Sequence, residues 1–380
     1  MPDFMVSDED LLLKKEIRRF AINELEPYAS EIDSSGKFPR KNIDGLVELG
    51  LTGLTIDEKY GGVGGTSKQL AIVAEEIARG CGSTSVIFLA HLSLCAQFIN
   101  TYGTEEQKTK YLSDLVSAKS IGAFGLTEPN AGSDSARITT SIRQVGDEYV
   151  LNGTKLYITN AKEADIFVII ANKEPQLNRS GIVGIILERG AEGFNINPQS
   201  GKMGMRASST AELVFNNTPI SAKNIIGDGV DGFKKLMDIL NGSRIGIAAQ
   251  GVGLAQAAYD VSVSYSKQRS AFGRKLSESQ AIQWMIADMA TGIEASRMLV
   301  YKAAEYKDNN IKYIKEASMA KLMSSKVAVD SANKAVQIHG GLGYFAPTIA
   351  ERLYRDSKVT EIYEGTSEIQ RMIISKEALK

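Results

Sequence analysis

The stretch Tyr149-Val-Leu-Asn-Gly-Thr-Lys-Leu-Tyr-Ile-Thr159 decides the fold class, because it replaces a helical sequence period with an extended one. Its β-branched and aromatic residues favour strands, and Asn152-Gly153 is a strong turn signal, so it predicts a β-hairpin. Short apolar strands are predicted further on, at residues 166–171, 184–187 and 211–215. Residues 120–227 are therefore expected to form a β-unit.

Both flanks of this unit have helical periodicity. Ser7 and Asp10 form a predicted N-cap pair, and residues 42–51 and 68–102 are helix-like. After Gly232, apolar residues recur at helical spacing over residues 233–266, 277–307 and 311–338, and a last helix begins near Thr366. Alternating βαβ units do not occur in the sequence, which argues against a Rossmann domain. The prediction is a mainly α chain with a central β-domain: an N-terminal α-helical domain (1–119), a middle β-barrel or sandwich domain (120–229) and a C-terminal four-helix bundle (230–380).

Composition limits the possible functions. The 380 residues carry 44 basic and 45 acidic side chains, so the net charge of −1 exerts no long-range attraction on nucleic acid or an anionic membrane. The two cysteines, Cys81 and Cys95, and the two histidines form no CxxC or HExxH pair, so we expect no metal site. Two buried thiols suit a reducing compartment.

The N-terminal residues are acidic and lack the basic and apolar segments of a signal peptide. We expect no apolar run of 18 residues, and therefore no membrane insertion and a cytoplasmic location.

Four short segments could carry chemistry, and each also has a plain structural reading. The first, Phe124-Gly-Leu-Thr-Glu-Pro-Asn-Ala-Gly-Ser-Asp134, concentrates small and polar residues in a loop where helical and β units meet. Backbone N–H groups and hydroxyls in such a loop can bind a pyrophosphate or the edge of a heterocycle. The alternative is a turn that links two domains.

The second segment, Lys267-Gln-Arg-Ser-Ala-Phe-Gly-Arg-Lys-Leu276, breaks two long helices and places Arg269, Arg274 and Lys275 in one loop with the aromatic Phe272. An arginine beside an aromatic ring can bind phosphate and stack on a planar ligand. The alternative is a solvated basic turn.

The third segment, Gln337-Ile-His-Gly-Gly-Leu-Gly-Tyr344, partly matches a dinucleotide fingerprint. That interpretation fails because a helix precedes the glycines and no βαβ unit has room to follow. The glycines instead end a helix and let a ligand approach the backbone.

The fourth segment, Ile362-Tyr-Glu-Gly-Thr-Ser-Glu-Ile-Gln-Arg371, places Glu364 on a loop just before a predicted helix. A carboxylate in that position is fixed by the helix yet free of intrahelical bonds. The alternative is an acidic residue that only favours the helix dipole.

Seven stretches, in order along nearly the whole chain, together resemble the acyl-CoA dehydrogenase family. They are Leu-Thr-Glu-Pro-Asn-Ala-Gly-Ser-Asp, Lys-Leu-Tyr-Ile-Thr-Asn, Met-Gly-Met-Arg-Ala-Ser-Ser-Thr, Arg-Ile-Gly-Ile-Ala-Ala-Gln, Gln-Arg-Ser-Ala-Phe-Gly, Gln-Ile-His-Gly-Gly and Tyr-Glu-Gly-Thr-Ser-Glu-Ile-Gln-Arg. The resemblance implies three domains as above, a homotetramer, non-covalent FAD and an electron-transferring flavoprotein as partner.

The resemblance also assigns roles. Tyr157 stands where many members have Trp, a similarly flat residue with a polar tip. The residues matched to FAD contacts are Leu126, Thr127, Gly132, Ser133, Tyr157, Thr159, Thr366 and Glu368, with Arg269, Phe272 and Gln280 reaching FAD across a subunit interface and Gln337, Gly340 and Gly341 near its adenosine part. The residues matched to acyl-CoA contacts are Ser133, Asn241, Arg244 and Gly365.

The catalytic base is expected to be Glu364. Members such as isovaleryl-CoA dehydrogenases have a glutamate at the position of Ser243, and here that alternative site for the base holds a serine. Burial would raise the pKa of Glu364 to about 6–7, as in other tuned carboxylates. The implied reaction is α,β-dehydrogenation of an acyl-CoA to a trans-2-enoyl-CoA, as in β-oxidation, with the thioester oxygen held by the backbone N–H of the base and a flavin hydroxyl.

Two other functions remain open on sequence alone. One is an acyl-CoA oxidase or monooxygenase of the same fold, and the other is a non-catalytic binding member. Chain length is expected to be short or medium, with the pocket floor on the helix that carries Ala90, His91, Leu92 and Leu94.

Overall fold

A computed structural model of the chain describes residues 6–146, 148–173, 179–227 and 231–380. Within these ranges, helices form the two ends of the chain and one large sheet forms the middle. The predicted fold class, mainly α with a central β-domain, is confirmed. The predicted boundary between residues 229 and 230 lies outside the described residues.

The N-terminal helices begin where the sequence supplies capping side chains. The Ser7 hydroxyl accepts a hydrogen bond from the Asp10 amide, and the Asp10 carboxylate accepts one from the Ser7 amide, as predicted. The predicted helix over residues 68–102 is broken at Cys81, which is extended. The helices are α1 (Asp8–Phe20), α2 (Ala29–Ser35), α3 (Arg40–Glu48), α4 (Ser67–Gly80), α5 (Gly82–Leu89), α6 (Gln97–Tyr102) and α7 (Glu105–Val116), with π-helical turns at Ala21–Leu25 and Ala90–Ala96.

One segment of this region, Gly82–Tyr102, is long and apolar enough to cross a membrane by length and composition, contrary to the expectation of no such run. In the fold, 89% of its most apolar window is buried inside the protein. Core helices of soluble proteins have the same character, so this helix is weak evidence for a membrane span.

The middle of the chain is one connected sheet in the order β1-β4-β2-β3-β7-β6, with β5 paired to β4. Every residue of β4 is buried, as its unbroken apolar run predicts. The pairing of β1 with β4 is parallel, and β4 with β5 is antiparallel. The strands are β1 (Gly122–Gly125), β2 (Ser141–Val145), β3 (Glu148–Thr159), β4 (Ile166–Asn172), β5 (Ile182–Glu188), β6 (Phe194–Gln199) and β7 (Thr210–Ile220).

The predicted hairpin around Asn152-Gly153 is wrong, because β3 runs straight through both residues. The hairpin lies earlier, where Val145 pairs with Glu148. At Gly153 the pairing of β3 with β7 shifts register, and its φ of +140° suits glycine. A Cβ there would lie 2.5 Å from the Thr140 hydroxyl oxygen. The glycine therefore serves a bulge and a close approach, rather than a turn.

The C-terminal region consists of long helices close to the predicted spans. A short hairpin of β8 (Ser270–Ala271) and β9 (Arg274–Lys275) joins the first two. The helices are α8 (Gly232–Gln268), α9 (Gln280–Asp308), α10 (Ile314–His339), α11 (Gly341–Tyr344), α12 (Ile349–Lys358) and α13 (Ser367–Ala378), of which α12 was not predicted.

Helix α8 is the centre of the assembly of helices and packs against α4, α9 and α10. Glycines make the close crossings possible. A Cβ at Gly253 would lie 2.1 Å from the Glu75 carbonyl oxygen, and one at Gly251 would lie 3.1 Å from the backbone of Ser324. The crossing at Gly253 sets α4 against α8, and the one at Gly251 holds α8 and α10 side by side. Both α8 and α10 contribute residues to the site described below.

Candidate active site

A cleft of about 1070 Å³ lies where the sheet meets α8 and the loop before α13. Its volume slightly exceeds the roughly 300–1,000 Å³ of typical small-molecule sites. Predicted site residues from distant parts of the sequence meet on its walls: Leu126, Thr127, Gly132, Ser133, Tyr157, Thr159, Arg244, Glu364, Gly365 and Thr366.

The loop over residues 126–134 is anchored from beneath by a buried ion pair. The Lys155 ammonium lies 2.8 Å from the Glu128 carboxylate and 3.0 Å from the Leu126 carbonyl oxygen, and both charged side chains are inaccessible to solvent. Glu128 also accepts hydrogen bonds from the amides of Thr139 and Thr140. The loop is therefore fixed, and its exposed side faces the cleft.

Both charges of this pair persist at neutral pH. Burial by itself raises the pKa of Glu128, but Lys155 and the hydrogen bonds from Thr139 and Thr140 outweigh burial and hold this pKa at about 2. Burial lowers the pKa of Lys155 to about 8, against the opposing effect of Glu128. An ion pair then remains beneath the loop across the physiological range.

Tyr157 presents a ring to the cleft because β3 is irregular there. The pairing of β3 with β7 shifts register between Lys155 and Ile158, and Tyr157 has a φ of +60°. Bulges of this kind re-aim a side chain out of the strand pattern. The ring is 65% exposed and lies on the cleft wall together with Thr159. A flat exposed ring suits a planar heterocycle.

Glu364 occupies a strained position between a 3₁₀ turn (Val359–Glu361) and α13. Its φ is +52° and that of Gly365 is +96°, so a glutamate is held in a conformation that glycine prefers. Strain of this kind clusters at functional sites. The Ser243 hydroxyl donates a hydrogen bond to the Glu364 carboxylate from α8. The side chain at position 243 thus contacts the Glu364 carboxylate directly.

The backbone carbonyls of this loop are held by buried donors. Arg244 Nε lies 3.2 Å from the Glu364 carbonyl oxygen, and Arg244 also donates to the Asn241 side chain at 2.6 Å. Asn241 is therefore placed to orient Arg244, and it is not on the cleft wall. Lys321 Nζ lies 2.8 Å from the Gly365 carbonyl oxygen, and Gln370 bonds both carbonyls.

Burial raises the pKa of Glu364 from its ordinary 4.5 to about 7. The hydrogen bond from Ser243 and the positive charges of Arg244 and Lys321 oppose this rise, because they favour the carboxylate. A group with a pKa near 7 accepts and returns protons efficiently at neutral pH. The carboxyl can therefore act as a general base.

Another group of predicted residues does not meet the cleft within this chain. Phe272 is fully exposed at the tip of the β8–β9 hairpin, and Gly340 and Gly341 have open space around them. The exposed side chains of this group do not line the cleft: Arg269, Phe272, Gln280, Gln337 and Glu368, together with Gly340 and Gly341. A single copy of the chain does not bring them to the cleft.

The expected pocket floor is partly different in the structure. Ala90 and Leu94 line the cleft, whereas His91 and Leu92 do not. The His91 ring lies between α7 and β1, where Nδ1 accepts from the Gly122 amide at 3.0 Å and Nε2 lies 2.9 Å from the Leu115 carbonyl oxygen. Its role is structural, because the π-helical turn directs it away from the cleft.

Sequence reasoning missed Lys155, Lys321 and Gln370 as parts of the site. Lys321 had a signal, since it shares the helical spacing of the buried Ala317, Ser324 and Ala328. Gln370 had none, because its contacts depend on how the loop folds back. In the described part of the chain, no group of three or more potential metal ligands converges.

Comparisons with known proteins agree over the whole chain. Sequence models of the acyl-CoA dehydrogenase N-terminal, middle and C-terminal domains match residues 7–119, 123–218 and 230–379. A short-chain specific acyl-CoA dehydrogenase of Clostridium acetobutylicum is 46% identical over 98% of both chains.

Two solved structures are similarly close. Butyryl-CoA dehydrogenase from Megasphaera elsdenii aligns with a TM-score of 0.95 and 41% identity over 99% of both chains. A chain from a structure of the electron-transferring flavoprotein of Acidaminococcus fermentans aligns with a TM-score of 0.97 and 42% identity over 100% of both chains.

Proposed function

The chain belongs to the acyl-CoA dehydrogenase family, and from this we propose that it dehydrogenates short-chain acyl-CoA thioesters with Glu364 as the catalytic base. The observation that carries the assignment is the strained, half-buried Glu364 carboxyl on the cleft wall, whose pKa burial raises to about 7. An acidic residue that only interacted favourably with the α13 dipole would need neither the strained backbone nor the raised pKa.

The α-proton of a thioester leaves only if the resulting negative charge on the carbonyl oxygen is stabilised. In the described residues, no backbone carbonyl outside the regular helices and strands accepts a hydrogen bond from the Glu364 N–H. The carbonyls of Glu364 and Gly365 are held by buried donors. The Glu364 N–H is thus free for the thioester oxygen, as the family resemblance implies.

FAD is the cofactor of the family, and the residues present fit it. The loop over residues 126–134 offers hydroxyls of Thr127 and Ser133 to the cleft, and a Cβ at Gly132 would meet nothing within 4 Å, so the backbone there is open to a close ligand. The ring of Tyr157 supplies a flat wall for a heterocycle. Bound FAD supplies the acceptor for the β-hydride.

The acyl chain is expected to lie against the apolar wall of the same cleft. This wall combines residues from the π-helical turn, from β1 and from the first half of α8: Ala90, Leu94, Phe124, Met237, Leu240 and Ile247. Such a surface binds hydrocarbon without polar contacts. The short-chain relatives support a short acyl group.

The proposed function also includes the association of several copies of the chain. Arg269, Phe272 and Gln280 are exposed and do not line the cleft of their own chain. The family resemblance assigns them to FAD across a subunit interface. A homotetramer, in which a second copy supplies these residues, accounts for their exposure. The likeness to a chain from an electron-transferring flavoprotein structure supports such a flavoprotein as the electron acceptor.

The test of the base is the substitution Glu364→Gln. The variant should purify with bound FAD, because the amide is nearly isosteric. Under anaerobic conditions butyryl-CoA should bleach the flavin absorbance of the wild type rapidly, with octanoyl-CoA slower, and should leave E364Q coloured. The matched control is Glu377→Gln, a partly buried carboxylate on α13 outside the cleft that pairs with Lys312 and Lys380. Rapid bleaching of E364Q, with E377Q like wild type, would refute Glu364 as the base.

A further inference from the structure

Helix α10 carries a lysine on its buried face. Lys321 has no exposed surface, and its neighbours on that face are the buried Ala317, Ser324 and Ala328. A buried ammonium loses its hydration, and an apolar side chain of similar length would usually fill such a space at lower cost. The position of Lys321 therefore suggests a role for its charge.

The ammonium of Lys321 reaches the loop that carries the base. Its Nζ lies 2.8 Å from the Gly365 carbonyl oxygen, and Gln370 Nε2 bonds the same oxygen at 2.9 Å. Lys321 does not line the cleft, so it approaches the loop from behind. Since Glu364 and Gly365 both have positive φ values, fixed carbonyls keep them in a conformation that would otherwise relax.

The charged groups around Lys321 lie on α8, on the 3₁₀ turn, on the loop that carries Glu364 and on α13. Lys321 faces the carboxylates of Glu364, Glu361 and Glu368 and the guanidinium of Arg244. Glu364 in turn faces Ser243, Arg244 and Lys321. Burial lowers the pKa of Lys321 to about 8, with Glu364 opposing that change, so the side chain is charged at neutral pH.

We propose that Lys321 is a positioning residue for the base: its ammonium fixes the Glu364–Gly365 loop through the Gly365 carbonyl and places a second positive charge, beside Arg244, behind the base carboxylate. The inference rests on the proposed role of Glu364. It assigns to α10 a function in the reaction, although no part of Lys321 touches the cleft.

The positive charge of Lys321 sets the direction in which its removal changes the pKa of Glu364. A nearby cation favours the carboxylate, so removing Lys321 raises the pKa of Glu364 further above 7. Less of the base is then ionised at pH 7. The acid limb of the kcat/KM profile should move to higher pH by roughly one unit. At pH values below the limb, kcat/KM should therefore fall about tenfold.

The experiment measures kcat and KM for butyryl-CoA between pH 5.5 and 9 in Lys321→Met, Lys321→Arg and wild-type holoenzymes. K321M should show the shifted acid limb and a lower kcat at pH 7 with little change in KM, because Lys321 does not contact the cleft. K321R keeps the charge and should lie close to wild type. Lys326→Met is the matched control, since Lys326 lies on the exposed side of α10 and pairs with Asp330 at 2.6 Å.

An acid limb in K321M that coincides with that of wild type and K326M would overturn the proposal. If K321M does not retain FAD, Lys321→Gln, which keeps a hydrogen-bond donor without charge, provides the same comparison. Failure of the base assignment is a separate result, because it appears as flavin bleaching in E364Q whatever the behaviour of the Lys321 variants.

Discussion

Burial shifts the pKa values of two side chains of this protein in opposite directions. It raises the pKa of Glu364 to about 7 and lowers that of His91 to about 4, because the charged form is a carboxylate in one and an imidazolium in the other. Glu364 faces the cleft and can exchange its proton with a ligand. His91 is enclosed between α7 and β1, so its shift affects stability instead.

We expect His91 to make the protein less stable as the pH falls. Its folded pKa lies below the ordinary 6.5, so the stability from the neutral ring is complete above pH 6.5 and is lost as the pH falls towards 4. Between pH 7.5 and 5 the free energy of unfolding should fall by about 2 kcal/mol more in wild type than in His91→Gln, which has no titrating ring. Urea unfolding of both proteins at the two pH values measures this difference. Equal losses in the two proteins would contradict it.

At the scale of secondary-structure elements, strand β3 fixes the loop over residues 126–134. Lys155 of β3 points beneath residues 126–134, where it meets Glu128, and the bulge after Lys155 turns Tyr157 to the cleft. The same strand thus fixes the loop and supplies the flat wall beside it. The geometry of the cofactor site depends on one buried ion pair.

Removing one partner of that pair should be costly. Lys155→Met leaves the Glu128 carboxylate buried without its cation, and we expect a loss of about 3–5 kcal/mol in stability together with weaker FAD binding. The double variant Glu128→Gln with Lys155→Met buries no charge and should recover part of the loss. Lys162→Met, at an exposed lysine, is the control. Denaturant unfolding and FAD titration measure both effects, and a K155M variant like K162M would contradict the role of the pair.

At the scale of the whole molecule, the predicted cofactor residues divide into two groups. One group lines the cleft, and the other is exposed on and beside the β8–β9 hairpin, on α9, around α11 and, for Glu368, on α13. Trp284 on α9 is also 65% exposed, which is a large apolar surface for a helix beside this hairpin. The division is understandable if each cofactor site in the proposed tetramer uses two copies of the chain.

Phe272→Ala tests this arrangement. Because the ring is fully exposed within one chain, its loss should change the folding of that chain by no more than about 0.5 kcal/mol. FAD content per chain after gel filtration should nevertheless fall. Leu12→Ala, at an exposed apolar residue of α1, should keep wild-type FAD content. Sedimentation analysis gives the mass of the assembly, and a fully loaded F272A would argue against a shared site.

Local signals in the sequence were enough for the long C-terminal helices and for the family. The Ser7–Asp10 capping box, the long helical periods after Gly232 and the uninterrupted apolar run of β4 each depend on residues close in sequence. The Asn152-Gly153 signal failed because pairing with β7 and the approach of Thr140 outweigh a two-residue preference. The inward turn of His91 was missed because packing determines it. Helix α12 had a local signal that was missed, since its buried residues Ala350, Leu353 and Ser357 recur at helical spacing.

The proposed base, Glu364, followed from its motif and from the serine at position 243. Its environment did not, because Ser243 and Glu364 are 121 residues apart and Lys321 and Gly365 are 44 apart. Contacts over such separations exist only once α8, α10 and the loop before α13 have packed together. Burial, and with it the pKa of Glu364 near 7, is a property of that packing and of no short segment.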